Sequence, residues 1–437
     1  MSKAKDQGSS FLLFNHLLKK QLLIVLGILL LTAQVRSQNL NYTRTVHKKL
    51  TSKSFHGRGY VKNGDGKAAA FIASQFSKNR LQAFNDDYFQ QYNFPVNTFP
   101  GKIILSIDGV KLIPGEDFVI SSSAPSVDGT FDLHFLPDTI NNAESLLAFL
   151  KLTNLQNLFL VVEGDFRKLY GKTIPSIKGI ILLTEKTPYW HVSNSGQVDS
   201  TIWLKIKKDR LPTDASTISL KAENVFIPNY PTQNVIAFIK GKKKPEHFVV
   251  FSAHYDHLGM MGNKTIYPGA NDNGSGTAML LDLARHYSQA ENQPDYSIAF
   301  LAFSGEERGL MGSTFYAENP LFPLDQIELL VNLDMVGTGS EGITIVNSTV
   351  FPDLFNRFVT LNKKGNYLKE VKQRGESCNS DHCPFYQKGV QSIFIYTRGK
   401  EHLHYHTPLD NANDFPFTAY NGLFKLLTAV VEETEKQ

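Results

Sequence analysis

The chain has 437 residues, of which 42% are hydrophobic and 20% charged, a composition that excludes an intrinsically disordered protein. The formal net charge is only +4, and because the Lys and Arg residues are scattered along the chain, nucleic acid is not an expected partner. The length exceeds what one ordinary core uses and predicts two or three structural units. A peptide or a small molecule is the expected ligand, and the sequence does not indicate an oligomeric state.

Residues 1–38 have the layout of a secretory signal peptide. Lysines precede an apolar run from Leu22 to Leu31, and small and polar residues follow it. The run is shorter than the roughly 20 apolar residues that a membrane-spanning helix requires. The sequence therefore predicts export, to the periplasm or the extracellular space, through a cleaved leader and without a permanent membrane span. A retained N-terminal membrane anchor is the alternative.

The segment 39–97 contains one clear helical pattern. Asp65 is placed to cap a helix whose apolar residues recur on one face, namely Ala69, Ile72, Ala73 and Phe76. From 98 to 222 the pattern changes to short apolar runs, such as KIILSIDGV and GIILLTE, separated by turn-forming residues. We interpret residues 98–222 as a mostly β inserted module, hereafter called the insert.

Residues 223–437 alternate between strand and helix patterns. Strands are predicted at 234–241, 247–253, 296–303, 328–333 and 392–396, and helices at 276–289 and 417–434. The run 296–303 is almost entirely apolar, as is typical of a central strand buried on both faces. The alternation predicts an α/β fold in which a doubly wound, mixed β-sheet is flanked by helices.

Acidic and imidazole side chains follow the C-terminal ends of these strands, where open α/β sheets build their sites. They are His254, Asp256, Asp272, Glu306, Glu307, Asp334 and His406. Any one of them alone is more simply a helix cap or a solvated turn. Together they point to cations, because several carboxylates cannot be buried close to one another without neutralisation. Histidine mixed with carboxylates, without a thiolate, suits catalytic zinc.

Six motifs carry a resemblance to a known family. In chain order they are AHYDHLG, GANDNGSGTA, FSGEERGLMGS, VNLDMVG, SDHCPF and YHTPLD. They resemble the di-zinc metallopeptidases that include bacterial leucyl aminopeptidases, aminopeptidase Y and glutamate carboxypeptidase II. The resemblance implies a zinc-exopeptidase fold, with 39–97 and 223–437 forming the peptidase domain, and an insert similar to the protease-associated module. It also implies aminopeptidase activity on peptide substrates.

The resemblance further implies two Zn²⁺ ions and a role for each residue. Asp272 bridges both ions, one of which is also held by His254 and Asp334 and the other by Glu307 and His406. Glu306 is the general base. His402 and His404 lie near enough to compete for the ligand role, and only the YHT context selects His406.

Four more residues are assigned supporting positions. Asp256 and Asp410 are the carboxylates expected to accept the second ring N–H of the ligands His254 and His406. Tyr405 is expected to stabilise the oxyanion with its phenol, with an ordinary packed tyrosine as the alternative. Asp381 and His382, in SDHCPF, are expected to line the wall of the site.

Several readings stay open at this level. Cys378 and Cys383 either close a small disulfide loop in an oxidising compartment or remain free thiols. Residues 337–342 fit the GxGxxG spacing, but a strand-like segment follows, so a dinucleotide site is not expected. A carboxypeptidase or dipeptidase on the same core, a receptor-like relative without activity, and a single-zinc glutaminyl cyclase are the alternatives to an aminopeptidase.

Overall fold

The computed structural model describes residues 38–436, except residues 154, 171, 173, 175, 176 and 193. The predicted leader therefore lies outside the described residues, apart from Gln38. Within the described part of the chain, no helix is both long enough and apolar enough to cross a membrane.

The secondary structure agrees with an α/β fold that carries a β-rich insert. The described α-helices are α1 Leu40–Leu50, α2 Gly64–Lys78, α3 Ala143–Leu152, α4 Gly276–Tyr287, α5 Met311–Glu318, α6 Pro352–Gly365, α7 Cys383–Gln387 and α8 Tyr420–Thr434. The described strands are β1 Phe89–Thr98, β2 Ile103–Ile107, β3 Val110–Leu112, β4 Phe118–Ile120, β5 Val127–Phe135, β6 Phe159–Val162, β7 Gly179–Thr184, β8 Ile202–Lys207, β9 Thr217–Ala222, β10 Val225–Ile239, β11 Lys244–His254, β12 Gly259–Met261, β13 Thr265–Tyr267, β14 Tyr296–Phe303, β15 Ile327–Leu333, β16 Gly342–Val346, β17 Val371–Gln373 and β18 Ser392–Arg398.

The main sheet is mixed and has the strand order β1-β10-β14-β11-β15-β18-β16-β17. Its four central strands, β14, β11, β15 and β18, run parallel to one another. Because parallel strands end at the same edge of a sheet, the loops that follow these four strands are brought together.

Both faces of the main sheet are covered, which confirms the doubly wound prediction. All eight residues of β14 are buried. Ile298 and Phe300 pack into a core shared with α1, α2, α4 and α8. Ala299 and Leu301, on the opposite face, pack into a second core with side chains of α5 and α7. This two-sided burial explains the nearly continuous apolar run in the sequence.

The insert begins and ends on neighbouring strands of the main sheet. β1 and β10 are antiparallel, and Thr98 at the end of β1 lies opposite Val225 at the start of β10. Between them, β2 to β9 form a second eight-stranded sheet in the order β3-β2-β9-β5-β6-β7-β8-β4. The hairpin β12–β13 lies apart from both sheets and precedes the turn Ala270–Ser275.

The N-terminal helix prediction is confirmed in position but wrong about its cap. The apolar face of α2 is buried as predicted. Asp65 is not the N-cap, which is Asn63. The Asp65 carboxylate instead accepts hydrogen bonds from Tyr230 (2.6 Å) and Thr232 (2.8 Å) of β10. It therefore joins the helix to the sheet.

The structure also describes two other segments that the sequence analysis singled out. Cys378 and Cys383 are joined in a disulfide next to the start of α7. The GxGxxG segment 337–342 leads directly into the strand β16 and not into a helix, which agrees with the expectation that it is not a dinucleotide site.

Candidate metal centre

The predicted ligands meet at the C-terminal edge of the parallel strands. His254 is the last residue of β11, Asp334 directly follows β15, and Glu307 follows β14. Asp272 lies in the turn before α4, and His406 lies in the loop after β18. Five segments that are distant in the sequence therefore supply one buried cluster.

One group consists of His254, Asp272 and Asp334. The Nε2 atom of His254 is 3.3 Å from Oδ1 of Asp272 and 3.4 Å from Oδ1 of Asp334. Ligand atoms that surround a zinc ion tetrahedrally at about 2.0–2.1 Å lie about 3.3 Å from one another. The separations in this group fit a zinc ion.

A second group shares Asp272 and adds His257, Glu307 and His406. The Nε2 atom of His406 is 2.9 Å from Oδ2 of Asp272 and 3.3 Å from Oε2 of Glu307. The two oxygens of Asp272 thus face different groups, Oδ1 toward His254 and Oδ2 toward His406. A carboxylate arranged in this way is able to bridge two cations.

Unsatisfied atoms in the first group support a metal as the missing partner. Among the described residues, His254 Nε2 and Asp334 Oδ1 are buried without a hydrogen-bond partner. Leaving such atoms unpaired costs about 1–3 kcal/mol each. A metal ion would satisfy both atoms at once.

The electrostatics of the cluster also favour positive charge. Burial acts to lower the pKa of His254, but the carboxylates of Glu306 and Asp334 outweigh it and raise that pKa well above its ordinary value. Burial likewise opposes the charge on His406, and Glu307 and Asp272 again raise its pKa well above the ordinary value. Divalent cations would neutralise these carboxylates more completely than protons on two imidazoles.

Glu306 lies beside the centre but belongs to neither group. Its Oε2 is 4.0 Å from His254 Nε2. Burial raises the pKa of Glu306 well above its ordinary value, and the carboxylates of Asp381, Glu307 and Asp334 add to this effect against the pull of His254. A carboxyl whose affinity for protons is raised in this way suits a proton acceptor.

Asp256 fixes the chain around both glutamates. Its carboxylate accepts from the backbone N–H of Glu306 and of Glu307, both at 3.3 Å, and from the hydroxyl of Tyr60 at 2.5 Å. The ring of His254 bonds the Asp256 carbonyl at 3.2 Å, while the carboxylate is 3.6 Å from Nδ1. The ring of His254 is therefore bonded to the backbone carbonyl of Asp256 and not, as expected, to its carboxylate, which instead sets the position of the Glu306–Glu307 turn.

Asp410 supports the turn that carries Asp272, and not the ring of His406 as expected. Its carboxylate does not pair with His406. It accepts from the backbone N–H of Asn271 (2.8 Å) and Asp272 (3.1 Å), and its Oδ1 is 2.7 Å from Nε2 of His402. Asp410 therefore anchors the turn that presents Asp272, and His402 is held in that anchor instead of competing as a ligand.

The remaining predicted residues differ in where they lie relative to the centre. The Tyr405 ring stacks on His406 with 3.8 Å between centroids and is half-exposed. Asp381 is fully buried, and burial, helped by the carboxylates of Asp256 and Asp334, raises its pKa to about 7. His382 is turned toward the disulfide loop, with Nε2 2.8 Å from the Ser377 carbonyl.

Sequence reasoning missed several residues that lie around the centre. His257 is buried, with Nδ1 2.6 Å from Oε1 of Glu307. Ser380 donates to Oδ2 of Asp334 at 2.8 Å. His257 lies inside the quoted motif AHYDHLG and Ser380 precedes SDH, so both were visible as neighbours of residues already selected.

Arg58 is another missed residue, and no pattern in the sequence marks it. It is fully buried, and its guanidinium donates to the backbone carbonyl of Tyr255 (2.7 Å), next to His254, and to that of Gly269 (2.8 Å), just before the Asp272 turn. Burial lowers its pKa to about 10, so Arg58 stays charged at neutral pH.

Comparison with known proteins agrees with this geometry. Residues 234–431 match the sequence profile of peptidase family M28. Aminopeptidase YwaD from Bacillus subtilis is 32% identical over 402 residues, which are 85% of this chain and 80% of that protein. The chain belongs to peptidase family M28.

Further matches place the M28 peptidase among zinc enzymes. A probable zinc metalloprotease from Pyricularia oryzae is 41% identical over 113 residues, 25% of this chain and 22% of that protein. The structure of a zinc aminopeptidase from Bacillus subtilis superposes with a TM-score of 0.67 at 22% identity, covering 91% of this chain and 95% of that one, which shows the shared fold. The M28 peptidase is accordingly a zinc metallopeptidase that acts on peptides.

Proposed function

We propose that this M28 peptidase is an exported aminopeptidase that hydrolyses the N-terminal bond of small or unfolded peptides with two zinc ions. The observation that carries the proposal is the position of Asp272, whose two carboxylate oxygens face separate groups of ligands. His254 and Asp334 would complete one zinc site, and Glu307 and His406 the other. When bound, two such ions lower the pKa of a shared water and polarise the scissile carbonyl.

Glu306 is the proposed general base. It takes the proton of the attacking water and delivers it to the leaving amine, because its carboxylate lies next to both groups and is committed to neither. Its neighbour Glu307 is held toward His406 and His257. In this proposal Glu307 is a metal ligand and the adjacent Glu306 carries the proton.

Tyr405 is the proposed donor to the oxyanion. Partial burial of the side chain and the nearby carboxylates of Asp272 and Glu307 raise the pKa of Tyr405 above its ordinary value, so the phenol keeps its proton at neutral pH. A protonated phenol is able to donate a hydrogen bond to negative charge that develops on the carbonyl oxygen. Asp381 is proposed to form part of the wall behind the centre, whereas the His382 ring faces the disulfide loop.

An aminopeptidase is the favoured member of this enzyme class for two reasons. Relatives that match most of the chain are named aminopeptidases. We propose that the insert comprises residues 98–222 and lies between the peptidase segments 39–97 and 223–437. Its residues 190 and 191 contact His406, a proposed ligand. Such a cover would narrow access to the centre and favour the end of a flexible chain over a folded protein.

Export is proposed from the leader-like residues 1–38 and from the disulfide between Cys378 and Cys383. Disulfides persist in oxidising compartments outside the cytoplasm. Fractionation of expressing cells, with N-terminal sequencing of the mature protein, tests this: a protein that stays in the cytoplasm with its first residues intact contradicts it.

The activity is tested with a panel of aminoacyl anilides and the same compounds acetylated at the amine. We expect hydrolysis of the free-amine compounds, loss of activity with a chelator, recovery with zinc, and resistance of the acetylated compounds. Release of C-terminal residues from blocked peptides would favour a carboxypeptidase. Formation of pyroglutamate would favour a cyclase, and no turnover by the zinc-loaded protein would favour a receptor.

A further inference from the structure

One residue of the insert is bonded to both the ring and the backbone of the proposed ligand His406. The backbone N–H of Trp190 donates to the carbonyl of His406 at 3.1 Å. In return, Nδ1 of His406 lies 2.9 Å from the carbonyl of Trp190. The backbone of His406 has a φ of 55°, in the left-handed region that residues other than glycine rarely adopt. The paired bonds hold this unfavourable conformation in place.

The ring of His406 finds its acceptors on the insert. Its Nε2 faces Asp272 and Glu307, so the ring proton resides on Nδ1 when His406 acts as a ligand. Besides the Trp190 carbonyl, Nδ1 of His191 lies 3.0 Å from Nδ1 of His406. Metal-bound imidazoles almost always donate their second N–H to such an acceptor, and losing it commonly weakens metal affinity.

The side chain of Trp190 fixes the position of these acceptors. The indole is buried, and its Nε1 donates to the carbonyl of Ile120 in β4 at 2.7 Å. Its ring packs 5.2 Å from that of Tyr267 in β13. Trp190 is therefore held between β4 of the insert and the hairpin that precedes the Asp272 turn.

We propose that Trp190 is a positioning residue for the metal ligand His406, so that the insert is a structural part of the metal centre and not only a cover over it. This rests on the proposed ligand role of His406. Loss of the indole should release the acceptors and weaken zinc in the Asp272–Glu307–His406 position by about 10- to 100-fold. Zinc in the His254–Asp272–Asp334 position should be retained more tightly.

The chain supplies a matched control, because its two tryptophans both lie in the insert. Trp203 is also fully buried, and its Nε1 also donates to a backbone carbonyl, that of Lys172, at 2.8 Å. It packs in the core of the insert, against Tyr170. Trp203→Ala thus removes a comparable side chain that has no place beside His406.

The test measures zinc content by mass spectrometry while a competing chelator is titrated into wild type, Trp190→Ala and Trp203→Ala. We expect Trp190→Ala to lose one ion at a chelator concentration about 10- to 100-fold lower than wild type requires. Trp203→Ala should release its zinc at the same chelator concentration as wild type. His191→Ala, which removes only the side-chain acceptor, should give a smaller shift in the same ion. Equal zinc retention in Trp190→Ala and wild type would overturn the proposal.

A second readout does not require the Trp190→Ala variant to fold. In Trp203→Phe, Trp190 is the only tryptophan, and zinc added to the metal-free protein should change its emission. In Trp190→Phe, the emission of Trp203 should stay constant. An unresponsive Trp190 in a protein that takes up two zinc ions would also overturn the proposal.

His406→Ala separates this inference from the proposed function. If His406→Ala binds two zinc ions as tightly as wild type, the ligand assignment itself fails. If His406→Ala loses one ion, but Trp190→Ala keeps zinc like wild type and the emission of Trp190 does not respond to zinc, the ligand assignment stands and the positioning role of Trp190 is refuted.

Discussion

Asp410 offers a sharp test of how the chain holds its bridging carboxylate. It does not touch either proposed ion, yet its two oxygens accept from the backbone N–H groups of Asn271 and Asp272 and contact the ring of His402. Asp410→Asn keeps the size of the side chain and replaces one oxygen with an amide NH₂. If the remaining oxygen keeps the Asn271 bond, the NH₂ group opposes the N–H of Asp272.

The size of the effect follows from the bond that is lost. A hydrogen bond to a charged acceptor contributes about 1.5–3 kcal/mol. If that energy is what holds Asp272 in place, both zinc affinities should fall by about 10- to 150-fold, since about 1.4 kcal/mol corresponds to a factor of ten. Both ions should respond, because Asp272 faces both groups of ligands.

The assay is a chelator titration with metal analysis at each step, and Asp414→Asn is the control. Asp414 is exposed in the same loop, four residues farther along. Asp414→Asn therefore makes the same chemical change at a site away from the turn. Wild-type retention of both ions in Asp410→Asn would refute the idea that this carboxylate anchors the metal turn.

Three other outcomes follow from the same contacts. Glu306→Ala should keep its zinc but lose about 10²- to 10⁴-fold in kcat; activity near wild type in a steady-state assay would remove Glu306 from the role of base. His257→Phe removes the donor to Glu307 and should weaken zinc by about 10- to 100-fold, which chelator titration measures; unchanged zinc affinity would leave His257 without a supporting role. Asp65→Asn tests the effect of burial on Asp65, whose pKa in the folded state is raised mainly by burial, from 3.8 to about 6. The contribution of the protonated Asp65 carboxyl to the free energy of unfolding is therefore fully present below pH 4 and is lost as the pH rises through 6. Urea unfolding should show Asp65→Asn gaining up to about 3 kcal/mol on wild type between pH 4 and pH 7, and a constant difference would contradict this reasoning.

The sequence was most informative where one local pattern determines the structure. The apolar run of β14 predicts a strand buried on both faces, and that strand is confirmed with its residues divided between two cores. The selected carboxylates and imidazoles lie together because parallel strands deliver their C-terminal ends to one edge. Neither conclusion needed any knowledge of distant contacts.

Contacts between distant segments were beyond such reasoning. Asp65 has the position of a helix cap, but its partners lie on β10 in the folded chain. Arg58 acts on backbone carbonyls, which every residue carries, so no side-chain pattern marks its partners. Trp190 and His406 are 216 residues apart, and a tryptophan in an apolar segment reads simply as core.

The central claim is that Asp272 bridges two zinc ions, and anomalous diffraction at the zinc absorption edge tests it most directly. Crystals of the zinc-loaded protein should give two anomalous peaks about 3.5–4 Å apart. One peak should lie among His254, Asp272 and Asp334, and the other among Asp272, Glu307 and His406. A single peak, or two peaks that do not share Asp272, would contradict the account.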